Sequence, residues 1–320
     1  MQNKTLEEKL NKLGSKKEPF LFIISYDLKD FYLEKLSELP QEIKYKLNSK
    51  HTSKIKDKTT ILKEPISFIE YKKKFDFLQE QIKMGNSYLL NLTAKTKIKT
   101  DYSLDEIYDK VHSKFKLRFK KDNTNFVCFS PERFIEIKKN KIYTHPMKGT
   151  IDSSIPNAQA KILGDIKEMA EHTMVVDLLR NDLSIVASKV RVDKFRYIDK
   201  INAGDKKLLQ VSSKISGHLE EDWHENIGTI LTSLLPAGSI TGTPKKKTIE
   251  LLEKTENYKR DFYTGVFGVY DGKSLDSSVM IRFIEENDDE LYYKSGGGIT
   301  SDSKVESEYE ELQDKIYLPF

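Results

Sequence analysis

The amino-acid sequence predicts an α+β fold with antiparallel sheets. The predicted strands fall in adjacent runs and do not alternate strictly with helices, which is the pattern of this fold class. Residues 125–137 and 141–145 alternate apolar and polar side chains around Lys139 and Asn140, which predicts a hairpin. A chain of 320 residues, of which 38% are hydrophobic, can bury one large core or two modest ones.

The individual elements follow from hydrophobic spacing and from helix-ending residues. The apolar run from Phe20 to Ile24 predicts a buried strand, and helical spacing over 67–84 predicts a helix that ends at Gly85. Further strands are predicted at 88–93, 190–195, 208–215, 262–270, 277–284 and 290–294. Further helices are predicted at 103–115, 156–179, 225–235, 244–255 and 304–317. The only linker-like stretch, 42–64, is interpreted as an insertion and not as a domain boundary.

Composition narrows the class of protein. The first residues are charged throughout, and no apolar run approaches the roughly 18 residues that span a bilayer, so we expect no signal peptide and no membrane segment. The lone cysteine, Cys128, excludes an internal disulfide and fits a reducing cytoplasm. A net charge of +4 is small for this length, and the scattered lysines are interpreted as a solvated surface and not as a nucleic-acid site.

Two pairs of glutamates have spacing that suits a metal site. Glu168 and Glu171 lie three apart on one predicted helix, and Glu308 and Glu311 repeat that spacing on the last one. Two such pairs facing each other would offer Mg²⁺ the oxygen ligands that it prefers. The spacing alone is also common on exposed helix faces, so the alternative is a solvated surface.

Three other features can bind an anionic ligand, each with a structural alternative. The loop 238–245 precedes a predicted helix and carries Ser239 and Thr241, so it is either an anion cradle or a helix-capping loop. Arg282 interrupts an apolar strand and can receive a substrate carboxylate or pair with a structural acid. The glycines at 296–298 permit close approach of a ligand or form a tight turn.

Taken in order, these segments resemble the chorismate-binding enzymes, which include anthranilate, aminodeoxychorismate, isochorismate and salicylate synthases. The resemblance runs from about residue 72 to the C-terminus. The matching residues are 130–134 (SPERF), 146–150 (PMKGT), 171–183 (EHTMVVDLLRNDL), 238–245 (GSITGTPK), 281–282 (IR), 296–299 (GGGI) and 308–311 (EYEE). The family fold that this implies is a single α+β domain, with two large antiparallel sheets and outer helices. Residues 67–320 would form its catalytic core, and residues 1–66 a shortened N-terminal part of the same domain.

The resemblance also implies roles for particular residues. Glu168, Glu171, Glu308 and Glu311 resemble the cluster that holds Mg²⁺ against the ring carboxylate of chorismate. The residues that resemble those binding the rest of the substrate are Tyr263, Arg282, Gly297, Gly298, Ser239 and Thr241. Glu132 resembles the general acid that protonates the departing ring hydroxyl, which is a poor leaving group without a proton.

Lys148 indicates which reaction the family member performs. Anthranilate and isochorismate synthases carry alanine at this position, whereas aminodeoxychorismate synthases carry a lysine that adds to the ring and expels the hydroxyl before ammonia displaces it. A neutral amine is needed for attack, so we expect burial to lower the pKa of Lys148. The alternative is a surface lysine paired with an acid.

Two positions depart from the family pattern. Leu89 stands where water-using members place a lysine base and where ammonia-using relatives often have glutamine, and Gln210 stands where many relatives have histidine. Cys128 lies in an apolar strand without a base beside it and is interpreted as inert. Because no glutaminase nucleophile is present, the predicted partners are chorismate, ammonia and a separate glutamine amidotransferase subunit.

The resemblance therefore implies a cytoplasmic, magnesium-dependent enzyme that makes 4-amino-4-deoxychorismate for 4-aminobenzoate and folate synthesis. Anthranilate synthesis remains the alternative reaction. A non-catalytic chorismate-binding protein remains the alternative of another class, because of Leu89 and Gln210.

Overall fold

The computed structural model describes residues 2–49, 61–203 and 206–320. Two large antiparallel sheets, of nine and eight strands in these residues, confirm the predicted α+β fold. The strands are β1 (Phe20–Ile24), β2 (Phe31–Lys35), β3 (Lys44–Lys46), β4 (Leu62–Glu64), β5 (Leu89–Lys99), β6 (Phe115–Lys121), β7 (Thr124–Ser130), β8 (Arg133–Lys138), β9 (Lys141–Thr144), β10 (Met147–Asp152), β11 (Ser188–Ala203), β12 (Lys206–His218), β13 (Gly242–Thr243), β14 (Val266–Tyr270), β15 (Ser274–Val279), β16 (Phe283–Asn287) and β17 (Glu290–Ile299). The helices are α1 (Gln2–Ser15), α2 (Phe68–Lys83), α3 (Leu104–Lys110), α4 (Ala158–Gly164), α5 (Ile166–Val186), α6 (Ile227–Leu234), α7 (Lys245–Glu256) and α8 (Val305–Asp314).

The strand order explains how distant segments meet. The nine-stranded sheet runs β10-β12-β9-β8-β15-β14-β1-β2, with β11 also paired to β12. The eight-stranded sheet runs β13-β5-β17-β16-β7-β6-β3, with β4 also paired to β5. The segment before residue 67 contributes β1 and β2 to the first sheet and β3 and β4 to the second. Part of the linker-like stretch, residues 50–60, lies outside the described residues.

Strand β1 shows why the sheets form a sandwich with helices on its outer faces. All five of its residues are buried, as predicted. Phe20, Phe22 and Ile24 belong to an outer core that includes side chains of α5 and α6. Leu21 and Ile23 pack in a second core with residues from β6, β7 and β16 of the other sheet. Because alternate residues of a strand point to opposite faces, one apolar strand serves both cores.

Helix α2 has the ends that the sequence predicts. The Ser67 hydroxyl accepts a hydrogen bond from the Glu70 amide at 3.2 Å, which caps its N-terminus. Its buried side chains Tyr71, Phe75 and Leu78 pack with residues of β5 in a third core. The packing orients β5, whose first residue is Leu89, toward the candidate site.

Several predicted boundaries were wrong. The predicted strand 125–137 is two strands, β7 and β8, which belong to different sheets and separate at Pro131 and Glu132. The predicted strand 277–284 is likewise divided between β15 and β16, and Arg282 in the break has a φ of 53°. Both stretches are apolar on each side of the break because both sheets are buried, so hydrophobicity alone did not show where the chain changes sheet.

The helix predictions erred in a similar way. The predicted helix 156–179 is α4 and α5, because Asp165 interrupts it and caps α5 by accepting the Glu168 amide at 2.9 Å. The predicted helix 103–115 ends at Lys110, and α1 was not predicted. Across the described parts of the chain, no helix has the length and apolar character needed to cross a membrane.

Candidate active site

The sequence-predicted residues converge where the two sheets meet. Lys148 lies on β10 of the nine-stranded sheet, whereas Gly298 lies on β17 of the other sheet. A β-carbon at Gly298 would lie 3.9 Å from Nζ of Lys148 and 3.4 Å from Cδ1 of Leu89. The glycine therefore leaves open space directly beside the lysine amine, and Leu89 forms one wall of that space.

Lys148 forms an ion pair with Glu171, one of the two glutamates on α5. Its Nζ lies 2.8 Å from Oε2 of Glu171, and the side chains of Lys148 and Glu171 are 28% and 8% exposed. Burial by itself lowers the pKa of Lys148, but the charge and hydrogen bond of Glu171, together with the charges of Glu311 and Glu168, outweigh burial, and the pKa is raised. Our expectation of a lowered pKa was therefore wrong, because it considered burial and not the anionic partner.

The second glutamate pair also lies at this site, on α8. Glu308 accepts a hydrogen bond from the Ser303 hydroxyl at 2.7 Å, and Glu311 pairs with Lys315 at 2.6 Å. Burial and neighbouring carboxylates, Glu311 and Glu171, raise the pKa of Glu308. The four predicted glutamates thus repel one another in a partly buried space, which makes cations favourable there.

The glutamates provide a donor set that suits Mg²⁺, but they do not yet form a closed cage. No group of three or more carboxylate, imidazole or thiol side chains in the described residues is arranged to hold a metal ion. Oε2 of Glu168, however, is buried without a hydrogen-bond partner in those residues, and burial raises the pKa of this carboxyl. Mg²⁺ commonly takes only one or two carboxylates and completes its shell with water and substrate oxygens. The residues therefore fit this ion.

Glu132 lies in the crossing between β7 and β8, beside the loop 238–245. Its Oε1 accepts a hydrogen bond from the Ser239 hydroxyl at 2.5 Å. Burial raises the pKa of Glu132, although Ser239, Lys315 and Lys148 oppose the rise. A raised pKa favours the protonated form of a carboxyl, which is the form that can donate a proton.

Thr241 is placed differently from Ser239. It is fully buried, and its hydroxyl donates to the Ala237 carbonyl at 2.8 Å. The hydroxyl therefore fixes the turn that carries Ser239. The loop is held further by Lys245, whose Nζ lies 3.0 Å from Asp182 on α5.

Arg282 and Tyr263 lie together at another side of the site. Nη1 of Arg282 donates to the Lys315 carbonyl at 2.7 Å, and no ion pair between Arg282 and an acid was found in the described residues. Tyr263 is 2% exposed, and burial raises its pKa. The alternative in which Arg282 pairs with a structural acid therefore receives no support.

Lys315 is a site residue that the sequence reasoning missed. Its Nζ donates to the Gly296 carbonyl at 2.7 Å, next to the glycines of β17. Burial lowers its pKa, and its electrostatic neighbours include Glu311, Lys148 and Arg282. Its position four residues after Glu311 was the available signal, because such residues share a helix face.

The remaining sequence-predicted positions lie outside the centre of the site. Gln210 on β12 pairs in register with Thr150 on β10, two residues beyond Lys148. Cys128 is fully buried between the sheets, and burial raises the pKa of its thiol. The cysteine is therefore unsuited to act as a nucleophile.

Comparisons with known proteins agree with this architecture. The chain is 44% identical to a PabA-like protein of Pasteurella multocida, over 98% of this chain and 97% of that protein. It is 31% identical to aminodeoxychorismate synthase component 1 of Salmonella typhimurium, but that match covers 77% of this chain and only 56% of the enzyme. The menaquinone-specific isochorismate synthase of Escherichia coli has the same fold, with a TM-score of 0.71 at 16% identity over 98% of this chain and 80% of that chain. Because the profile of the chorismate binding enzymes matches residues 4–319, this chain belongs to that family.

Proposed function

We propose that this protein is an aminodeoxychorismate synthase, which converts chorismate and ammonia to 4-amino-4-deoxychorismate. The observation that carries this proposal is the position of the Lys148 amine, which is beside the open space at Gly298 and in electrostatic reach of Glu132. A lysine at this place gives the site a nucleophile of its own. The similarity to aminodeoxychorismate synthase component 1 of Salmonella typhimurium supports the same reaction.

The charges around the site suit a substrate with two carboxylates. Arg282 donates to a backbone carbonyl and has no acidic partner in the described residues. Lys315 lies beside it and donates to the Gly296 carbonyl, although its ammonium also pairs with Glu311. We assign the enolpyruvyl carboxylate to this side. The ring carboxylate would face the glutamates on α5 and α8, where Mg²⁺ bound by Glu168, Glu171, Glu308 and Glu311 would neutralise charge and hold that carboxylate.

Lys148 acts as the nucleophile when it has lost its proton. The carboxylate of Glu171 favours the ammonium form while it faces Lys148 alone. A cation held by Glu171 would weaken this effect and so favour the neutral amine that Lys148 needs for attack. The amine adds to the ring, the hydroxyl leaves, and ammonia then takes the place of the lysine nitrogen.

Glu132 provides the proton for the departing hydroxyl. Burial raises its pKa, which favours the protonated carboxyl, and the hydrogen bond from Ser239 fixes the direction of the group. Leu89 contributes by exclusion, since an aliphatic side chain beside Gly298 can neither activate water nor hold it tightly. Glu132 and Leu89 together therefore favour an amine product over a hydroxyl product.

Ammonia would come from solution or from a separate glutaminase subunit. A glutaminase needs an accessible thiolate, whereas the single cysteine of this chain is buried between the sheets. A lyase would then complete 4-aminobenzoate.

Mass analysis of the product tests the proposal. Purified protein is incubated with chorismate, ammonium and Mg²⁺, and the product is treated with a 4-amino-4-deoxychorismate lyase. Formation of 4-aminobenzoate is the expected result. Direct formation of fluorescent anthranilate would replace the proposal with anthranilate synthesis, and no turnover of chorismate by folded protein would favour a non-catalytic binding role.

A further inference from the structure

A small cavity lies beside Glu132, between α5, β8 and the loop 238–245. Its volume is about 20 Å³, and Glu132 and Ser239 form part of its wall. Most of the remaining wall is apolar and includes Leu183 of α5, Leu234 of α6 and Ala237, which lies between α6 and Ser239. A cavity of this size has room for one molecule as large as water, provided that polar groups in its wall hold that molecule.

The polar groups of this cavity suit a small nitrogen base or its cation. His145 lines it, and Nε2 of that residue is buried with no hydrogen-bond partner among the described residues. Asp182 also lines the cavity and is already paired with Lys245 at 3.0 Å. Arg133 also lines the cavity, but its guanidinium is paired with Asp276 and Glu136. The polar groups that remain for an occupant are the His145 imidazole and the Glu132 carboxyl group.

We propose that this cavity is the binding chamber of the amine co-substrate, and that a single ammonium ion or ammonia molecule waits there before it reaches the ring past Glu132. The proposal rests on the amination function proposed above. It identifies Glu132 as the group that separates the chamber from the lysine side of the site.

Ammonium in this chamber would also restore the general acid. Glu132 gives its proton to the departing hydroxyl, which leaves as water, while the Lys148 amine forms a carbon–nitrogen bond and becomes a charged secondary amine. The resulting Glu132 carboxylate takes a proton from ammonium and leaves neutral ammonia. The ammonia lone pair forms the new carbon–nitrogen bond as the bond to the lysine nitrogen breaks, so lysine departs as a neutral amine and the product carries the charged amino group.

The size of the chamber predicts which amines can react. Ammonia is about as large as water and fits, but methylamine carries an additional methyl group against walls of leucine and alanine. A pocket that lacks room for one carbon discriminates by roughly 10- to 200-fold. Wild-type protein should therefore aminate chorismate with ammonium and use methylammonium poorly.

Enlarging the chamber tests this directly. Leu234→Ala removes a side chain from the wall, whereas Leu231→Ala removes an equally buried leucine from the same helix that does not line the chamber. The ratio of kcat/KM for methylammonium to that for ammonium should rise at least tenfold in Leu234→Ala. In Leu231→Ala it should stay within twofold of wild type, and this ratio does not depend on the fraction of folded protein.

A second variant narrows the chamber in case Leu234→Ala does not fold. Ala237→Val should raise KM for ammonium at least tenfold and leave KM for chorismate within twofold, while Ala94→Val, a buried alanine of another core, should change neither constant to that extent. If wild type uses methylammonium as well as ammonium, or if the chamber variants change neither quantity, the cavity holds only water and the proposal is overturned. Failure of wild type to aminate chorismate at all would instead remove the proposed function.

Discussion

Nζ of Lys148 on β10 lies 2.8 Å from Oε2 of Glu171 on α5, in a site built from both sheets. Lys148→Ala should lower the rate of amination by at least about 10³-fold, because no other nucleophile replaces the amine. Product formation at saturating chorismate and ammonium measures the effect. Lys167→Ala is the matched control, since this exposed lysine lies 3.8 Å from the same glutamate, and it should change the rate by less than about threefold. Equal activity of Lys148→Ala and wild type would remove the covalent mechanism.

The hydrogen bond from Ser239 to Glu132 predicts a shift in the pH profile. A general acid works in its protonated form, so loss of the Glu132 proton should limit turnover on the alkaline side of the profile, against the gain from deprotonation of Lys148. The Ser239 hydroxyl stabilises the carboxylate and therefore lowers the pKa of Glu132. Ser239→Ala should raise it and move the fall in kcat to higher pH, whereas Ser239→Thr, which keeps a hydroxyl, should not. Glu132→Gln should lose about 10²- to 10⁴-fold in kcat. If the pH dependence of kcat were the same in wild type, Ser239→Ala and Glu132→Gln, Glu132 would not be the general acid.

Gly298→Ala should damage the site without damaging the fold. The new β-carbon would make ordinary contacts, 3.4 Å to Leu89 and 3.9 Å to the Lys148 amine, so the chain can accommodate it. The methyl group would occupy space proposed for chorismate, and kcat/KM for chorismate should fall by about tenfold or more. Gly164→Ala, on α4 with nothing within 4 Å, is the control and should leave kcat/KM unchanged. The midpoint of thermal unfolding should be similar for both variants. Full activity of Gly298→Ala would show that chorismate does not bind beside this glycine.

The buried ion pair between Arg260 and Glu256 should contribute strongly to the free energy of unfolding. Arg260 and Glu256 form a salt bridge of 2.5 Å and are 2% and 3% exposed, and Arg260 also donates to the Ile240 carbonyl. Arg260→Met leaves the Glu256 charge unpaired and should lower the free energy of unfolding by about 3–5 kcal/mol. Lys72→Met, which breaks the exposed pair with Asp76, should change it by less than about 1 kcal/mol. Urea denaturation measures the free energy of unfolding of both variants. Similar losses would show that burial does not determine how much these ion pairs stabilise the fold.

The buried thiol of Cys128 predicts both chemical inertness and dependence on an external source of ammonia. Only a thiolate reacts readily with iodoacetamide, and burial raises the pKa of this thiol. Native protein should therefore remain unlabelled, while denatured protein should take one label for its single cysteine.

Glutamine alone should support no turnover where ammonium does. Turnover with glutamine by the purified chain would show that it has glutaminase activity of its own.

The sequence predicted elements whose signals are local. The helix 67–84 was found because its cap residue and its apolar spacing lie within it, and β1 because it is apolar throughout. The crossing at Pro131 and Glu132 was missed, since a change of sheet is decided by partners far away in the chain.

In the candidate site, too, the sequence predicted what local motifs determine and missed what tertiary packing determines. Motif blocks indicated Lys148, Glu132 and the glutamates, but not their contacts. The bond between Ser239 and Glu132 joins residues 107 apart, and the effect of Glu171 on Lys148 depends on how α5 packs against β10. Such contacts arise only from tertiary packing, so the pKa of Lys148 was predicted in the wrong direction.

The distribution of the site over two sheets has a consequence for how activity is acquired. Lys148 is supplied by one sheet and Gly298 by the other, and their strands lie far apart in the chain. Pairings between distant segments form slowly during folding, and large chains can populate species in which such packing is incomplete. A refolding intermediate with only one sheet in place would possess secondary structure but no working site. Recovery of turnover therefore reports the final docking of the two halves of the sandwich.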